Sequence, residues 1–139
     1  MPRPKRLEPL SLKWCDVKDK RGITWQVFIQ SAPLYLEGNR CLGITFPAVH
    51  RIILDGEMNS KMLKQVLVHE LLHLACADEY KRNSRAKHIQ SLTYDAEELA
   101  VRSMEETLTH ILPQFGFTFP PLPPLGYLRK LRKAFKRCL

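Results

Sequence analysis

Val66-Leu67-Val68-His69-Glu70-Leu71-Leu72-His73-Leu74-Ala75-Cys76-Ala77 is the stretch around which the rest of the chain arranges itself. A run this long and apolar, without Gly or Pro, predicts a helix. On a helix, residues i and i+4 lie one above the other, so His69 and His73 present both imidazoles to one point. Neutral imidazole is a good zinc ligand, and a metal at that point gives both rings a partner. Glu70, one position round from His69, reaches over such a metal, where a carboxylate can take a proton from a water held on it. Three polar groups in an apolar helix have no other cheap explanation, because one neutral group buried without a partner costs roughly 2–7 kcal/mol.

The helix is expected over about residues 61–76. Met62, Leu63, Val66, Leu67, Leu71, Leu74 and Ala75 spread round most of its circumference, which predicts a central, buried element. Asn59 or Ser60 can cap its first turn. Before it, residues 10–17 and 23–30 are two β-rich stretches separated by Lys18-Asp19-Lys20-Arg21-Gly22, the pattern of a hairpin. Trp25, Val27 and Ile29 alternate with Gln26 and Phe28, as in a half-buried strand, and Trp14 and Trp25 read as packing residues. A short piece at 34–36, a turn at Glu37-Gly38-Asn39, and strands at 41–46 and 51–55 complete the β part before the helix begins.

After it, residues 78–87 are polar and read as a loop. A second helix is expected from about Asp95 to Leu112, marked by Val101, Met104, Leu108, Ile111 and Leu112, and stopped by Pro113. Pro120-Pro121-Leu122-Pro123-Pro124 is extended, stiff chain that reads as a connector. The expected organisation is a basic N-terminal segment (1–9), an α+β domain (10–117), a Pro-rich connector (118–126) and a basic amphipathic tail (127–139). In the domain, a small antiparallel or mixed sheet packs on the histidine helix and a second helix.

At 139 residues the chain is one domain by size. No apolar segment reaches the roughly 18 residues of a membrane span, and the first ten residues lack a secretory apolar stretch. Cys15, Cys41, Cys76 and Cys138 show no CxxC pairing, which fits free thiols and a cytoplasmic location. The net charge of +8 resides at the ends of the chain. Arg129, Lys130, Arg132, Lys133, Lys136 and Arg137 crowd the last thirteen residues with no acid among them, and Arg3, Lys5 and Arg6 the first nine. The tail is thus a candidate for contact with nucleic acid, an anionic membrane or an acidic partner, with Leu128, Leu131, Phe135 and Leu139 on its other side. The same stripe could instead dock on the domain and leave the charges solvated.

Two histidines leave a catalytic zinc one protein ligand short. Asp78, Glu79, His88, Glu97, Glu98 and His110 are the candidates. Glu97 is preferred because at 100° per residue it falls in line with Val101, Met104 and Leu108, and an acid on a buried face needs a partner. Glu98, roughly 100° round, is the alternate.

Strands, then Arg51-Ile52-Ile53-Leu54-Asp55, then His69-Glu70-Leu71-Leu72-His73, then a glutamate-bearing helix form an order that resembles the minimal zincins of the ImmA/IrrE-like and phage-borne metallopeptidases. The resemblance covers about half the chain. It implies a zinc-dependent peptidase fold with His69, His73 and Glu97 as ligands and Glu70 as base. SprT-like proteases, which act on DNA-bound proteins, are the nearest competitor, with His88 as third ligand. The expected activity is hydrolysis of a protein or peptide substrate lying along a strand edge, here that of residues 51–55. Tyr80, His88, Tyr94 and Arg102 are the possible oxyanion donors.

Overall fold

The computed structural model describes residues 9–82 and 90–138, and the side chains of all of these except 76–82, 90–95, 137 and 138. The architecture is α+β. Strands β1 (Ser11–Lys18), β2 (Thr24–Gln30), β3 (Leu34–Leu36), β4 (Asn39–Cys41), β5 (Gly43–Phe46) and β6 (Arg51–Asp55) precede helices α1 (Ser60–Arg82), α2 (Gln90–Ile111) and α3 (Gly126–Cys138). Among the described residues no helix is long and apolar enough to cross a membrane.

Four strands form one mixed sheet in the order β1-β2-β6-β5, while β3 and β4 form a separate hairpin. The β1–β2 hairpin is antiparallel, as the alternation predicts. Its turn is fastened by Asp19, whose Oδ1 accepts from the N–H groups of Arg21 (2.9 Å) and Ile23 (3.0 Å), and whose Oδ2 accepts from Trp25 Nε1 (3.0 Å). In the β3–β4 turn Glu37 and Gly38 both take positive φ, the backbone of the primed hairpin turns whose twist matches the strands.

β2 and β6 run parallel, with Val27 opposite Ile52 and Ile29 opposite Leu54, and β6 is completed on its other side by antiparallel β5. Residues 51–55 therefore have no free edge, contrary to the expectation that they offer one to substrate. The outermost strand on that side is β5. One face of the sheet carries Trp25, Val27, Ile29, Ile52 and Leu54, all buried, and packs with Leu63, Val66, Leu67 and Leu74 of α1 into the core.

α1 begins where Asn59 Oδ1 accepts from the Met62 N–H at 2.9 Å, a side-chain cap on a free amide. It runs to Arg82, so the first part of the stretch read as loop is helical. Residues 74–82 hold neither Gly nor Pro, so nothing in the sequence stops the helix there. Residues 83–89, His88 among them, lie outside the described residues.

The Pro-rich segment runs back along the sheet, held where Trp14 Nε1 donates to the Pro120 carbonyl at 2.9 Å, with Phe119 and Leu122 packed on the core. It delivers α3 to the end of β6. Leu125 and Leu128 are buried in the same core, and Leu131 and Phe135 are half-buried. Gly56 is needed at this seam, since a Cβ there would lie 2.1 Å from Leu128 Cδ2 and 2.9 Å from the Gln30 carbonyl oxygen.

Arg132 corrects the reading of 127–139 as a helix with all its cations outward. It is 2% exposed, because the fold supplies it with three acceptors. Its guanidinium donates to the Ser31 carbonyl (3.0 Å), to Asp55 Oδ2 (2.8 Å) and to Glu57 Oε2 (3.0 Å). Asp55 is fully buried and also accepts from Arg40 (3.2 Å) and the Glu57 N–H (2.9 Å). Lys136 and Arg40 also pair with Glu57, and the Lys136 bond first, then the Arg40 bond, hold its carboxyl down at about 2. A buried ion pair stripped of one partner leaves an uncompensated charge. Arg132→Met is therefore expected to lose about 3–5 kcal/mol in urea unfolding. A loss within ~0.5 kcal/mol, the size of a neutral surface change, would show that α3 is not held this way.

Candidate metal centre

α1 carries His69 and His73 one turn apart on the side that faces α2, and Glu70 on the side that faces β5. The two rings lie with centroids 4.8 Å apart at 68°, and their Nε2 atoms are 3.2 Å from each other. Glu98 of α2 reaches both. Its Oε2 is 2.7 Å from His73 Nε2 and its Oε1 is 3.3 Å from His69 Nε2. Ligand atoms of His69, His73 and Glu98 all fall within 4.8 Å of one another, the only such group of three among the described residues. Two imidazole nitrogens and one carboxylate oxygen, converging and partly shielded, are a donor set that could hold a metal ion.

Glu97, the residue preferred from the sequence, sits elsewhere. Its Oε1 is 3.6 Å from His73 Nδ1, on the far side of the ring from Nε2. Glu98, the alternate from the sequence, is the carboxylate that meets both Nε2 atoms. Met104, used to define the buried direction, is 41% exposed, whereas Val101 is fully buried and Glu105 partly so. The inward face thus takes in Glu97, Glu98, Val101, Glu105 and Leu108, with the side chains of Glu97, Glu105 and Glu98 11%, 18% and 24% exposed. Three of its members are acids that meet histidines, and apolar periodicity carries no signal for which of them meets the Nε2 atoms.

Glu105 was not singled out in the sequence. Its Oε2 is 2.6 Å from His69 Nδ1 and its Oε1 accepts from Gln65 Nε2 at 3.5 Å. The available signal was spacing, since Glu105 follows Glu98 by seven residues, two helical turns on the same face. Arg102 donates through Nε to Glu98 Oε1 at 3.0 Å while staying mostly exposed. Burial pushes the Glu98 carboxyl up, but the Arg102 bond and the two neighbouring imidazoles outweigh it and leave the group below the usual carboxylate range.

Glu70 is 7% exposed, and its Oε2 accepts from the Thr45 hydroxyl of β5 at 2.6 Å. Helix and strand approach closely there because position 43 is glycine. A Cβ at Gly43 would meet Val66 Cγ1 at 2.9 Å, Leu54 Cδ2 at 3.0 Å and Glu70 Cγ at 3.2 Å. An open cleft of about 1020 Å³ runs between β5, the β3–β4 hairpin and the two helices, and His69, His73, Glu70, Glu98 and Arg102 all line it. His88 lies outside the described residues, as do the side chains of Asp78, Glu79, Tyr80 and Tyr94, while His110, at the far end of α2, is exposed.

Comparison of the chain with family models, with curated proteins and with solved structures finds no match. The site therefore stands on its own geometry. Gly43→Ala should force β5 and α1 apart and cost about 1–3 kcal/mol, the usual range for an overpacked core. Chemical denaturation measures it, and an unchanged midpoint would mean that the close approach is not required.

Proposed function

We propose that the protein is a zinc-dependent metallopeptidase with a minimal zincin arrangement, His69, His73 and Glu98 holding the metal and Glu70 serving as the general base. The observation that carries this reading is the convergence of both Nε2 atoms with the Glu98 carboxylate, beside a second carboxylate that faces the cleft without belonging to the ligand group. A purely structural site has no use for that second carboxylate. Bound zinc supplies a Lewis acid for the scissile carbonyl and lowers the pKa of water towards 7.

The remaining work falls to the chain's own residues. Thr45 occupies Glu70 Oε2, so Oε1 is the oxygen left to accept a proton from the attacking water and return it to the departing amine. Arg102 lines the cleft, is largely exposed, and is a donor for the developing oxyanion. An extended peptide adding to the outer edge of β5 would pass Thr45 and Glu70, which makes that edge the proposed substrate-binding strand in place of β6.

The rival reading, a nucleic-acid-binding protein working through residues 127–139, draws less support. Arg132 is buried, Lys136 is paired with Glu57 and Arg129 donates to the Met58 carbonyl, so three of the six basic side chains of that segment are engaged within the fold. The nearest competing protease reading needs His88 as ligand, and the contacts of Glu98 with both imidazoles make a further histidine unnecessary.

Zinc-loaded wild type is expected to cleave β-casein, used as an unfolded general substrate. Glu70→Gln should retain one equivalent of zinc while losing about 10²–10⁴-fold in rate, the range for a general acid–base group. Full activity in Glu70→Gln would sink the assignment of the base.

A further inference from the structure

An imidazole that ligates through Nε2 must carry its proton on Nδ1, and that N–H then needs an acceptor of its own. Around this pair of rings the acceptors are carboxylates from α2. His69 Nδ1 lies 2.6 Å from Glu105 Oε2, at the distance of a strong, charge-assisted hydrogen bond. His73 Nδ1 lies 3.6 Å from Glu97 Oε1, too far for a hydrogen bond but close enough for a charge neighbour. Glu105 is itself pinned, with Gln65 of α1 on its other oxygen. Both histidines therefore turn Nε2 inward to Glu98 and Nδ1 outward to an acid.

We propose that Glu105 is the positioning residue of the metal centre: it holds His69 in the Nδ1–H form and fixes the ring so that Nε2 points at the ligand point. Glu97, at 3.6 Å, faces the Nδ1 of His73 as a charge neighbour without a hydrogen bond. The inference rests on the zinc reading above and deepens it, because α2 then contributes a ligand and the outer carboxylates of both rings. It also gives Glu97 a role other than the ligation expected from the sequence. An inward carboxylate at Glu105 is expensive unless something donates to it, and His69, at 2.6 Å, is the nearer of the two donors that the fold provides, Gln65 being the other.

Outer partners of metal-bound histidines are worth about 10- to 100-fold in metal affinity. The test is the zinc dissociation constant of the full chain, measured by competition with a chromophoric chelator, for wild type, Glu105→Ala, Glu105→Gln, Glu97→Gln and Glu98→Ala. Glu105→Ala should weaken zinc binding about 10- to 100-fold, Glu105→Gln, whose amide oxygen still accepts, should recover most of it, and Glu97→Gln should change it a few-fold at most. Glu98→Ala, which removes a ligand, should be the most damaging of the set. Wild-type affinity in Glu105→Ala, or equal losses in the Ala and Gln variants, would overturn the positioning role while leaving the zinc site standing. A wild type with no zinc affinity would overturn the zinc reading and this inference with it. Nitrogen-15 NMR of the zinc-loaded wild type gives a second readout that needs no variant: His69 protonated on Nδ1 supports the proposal, and protonation on Nε2 overturns it.

Discussion

The seam between α1 and α2 is closed by acids meeting imidazoles, and everything around the candidate site follows from that contact. Two histidines one turn apart cannot be partly buried on a helix without acceptors or a metal, and α2 brings three carboxylates to them. Apolar packing at this seam is modest beside it, with Val101 the one fully buried side chain among those described in α2. The polar contacts are directional where apolar ones are not, so they fix the rotation of α2 about its axis as well as its distance. This is why Glu98 and not Glu97 faces the two Nε2 atoms.

The sheet does a separate job. It buries the opposite side of α1 and, through β5, sets the position of Glu70. Thr45 and Gly43 face the helix from alternate positions of one short strand, the first by bonding Glu70 and the second by leaving it room. Further from the site, Asp55 at the end of β6 gathers Arg40 from the β3–β4 hairpin and Arg132 from α3. One buried acid thus ties the hairpin that walls the cleft to the C-terminal helix. In the proposed mechanism the metal ligands come from two helices and the base is trimmed by a strand, so all three layers contribute.

The order of strands and helices was legible in the sequence because its signals were local. Alternation at Trp25, Val27 and Ile29 and the Glu37-Gly38 turn need no tertiary knowledge to interpret. His69, Glu70 and His73 were legible for the same reason, since i, i+1 and i+4 on a helix fix their relative directions. What escaped was decided between elements. Glu105 looks like a surface residue until the imidazole opposite it is known, and Glu98 ranks behind Glu97 until α2 is set against both rings. Arg132 looks solvated until Ser31, Asp55 and Glu57 are brought within reach of it. β6 looks like an edge until β5 pairs with it. Polar groups that face inward carry no hydrophobic signature, so the residues missed are the ones that hold the site together.

The most direct test of the central claim is the zinc K-edge absorption spectrum of the metal-loaded protein. A centre built from His69, His73 and Glu98 should show nitrogen and oxygen neighbours only, at about 2.0–2.2 Å, with the outer scattering of two imidazoles. A sulfur shell at about 2.3 Å, or scattering from one imidazole or three, would contradict a centre built from His69, His73 and Glu98.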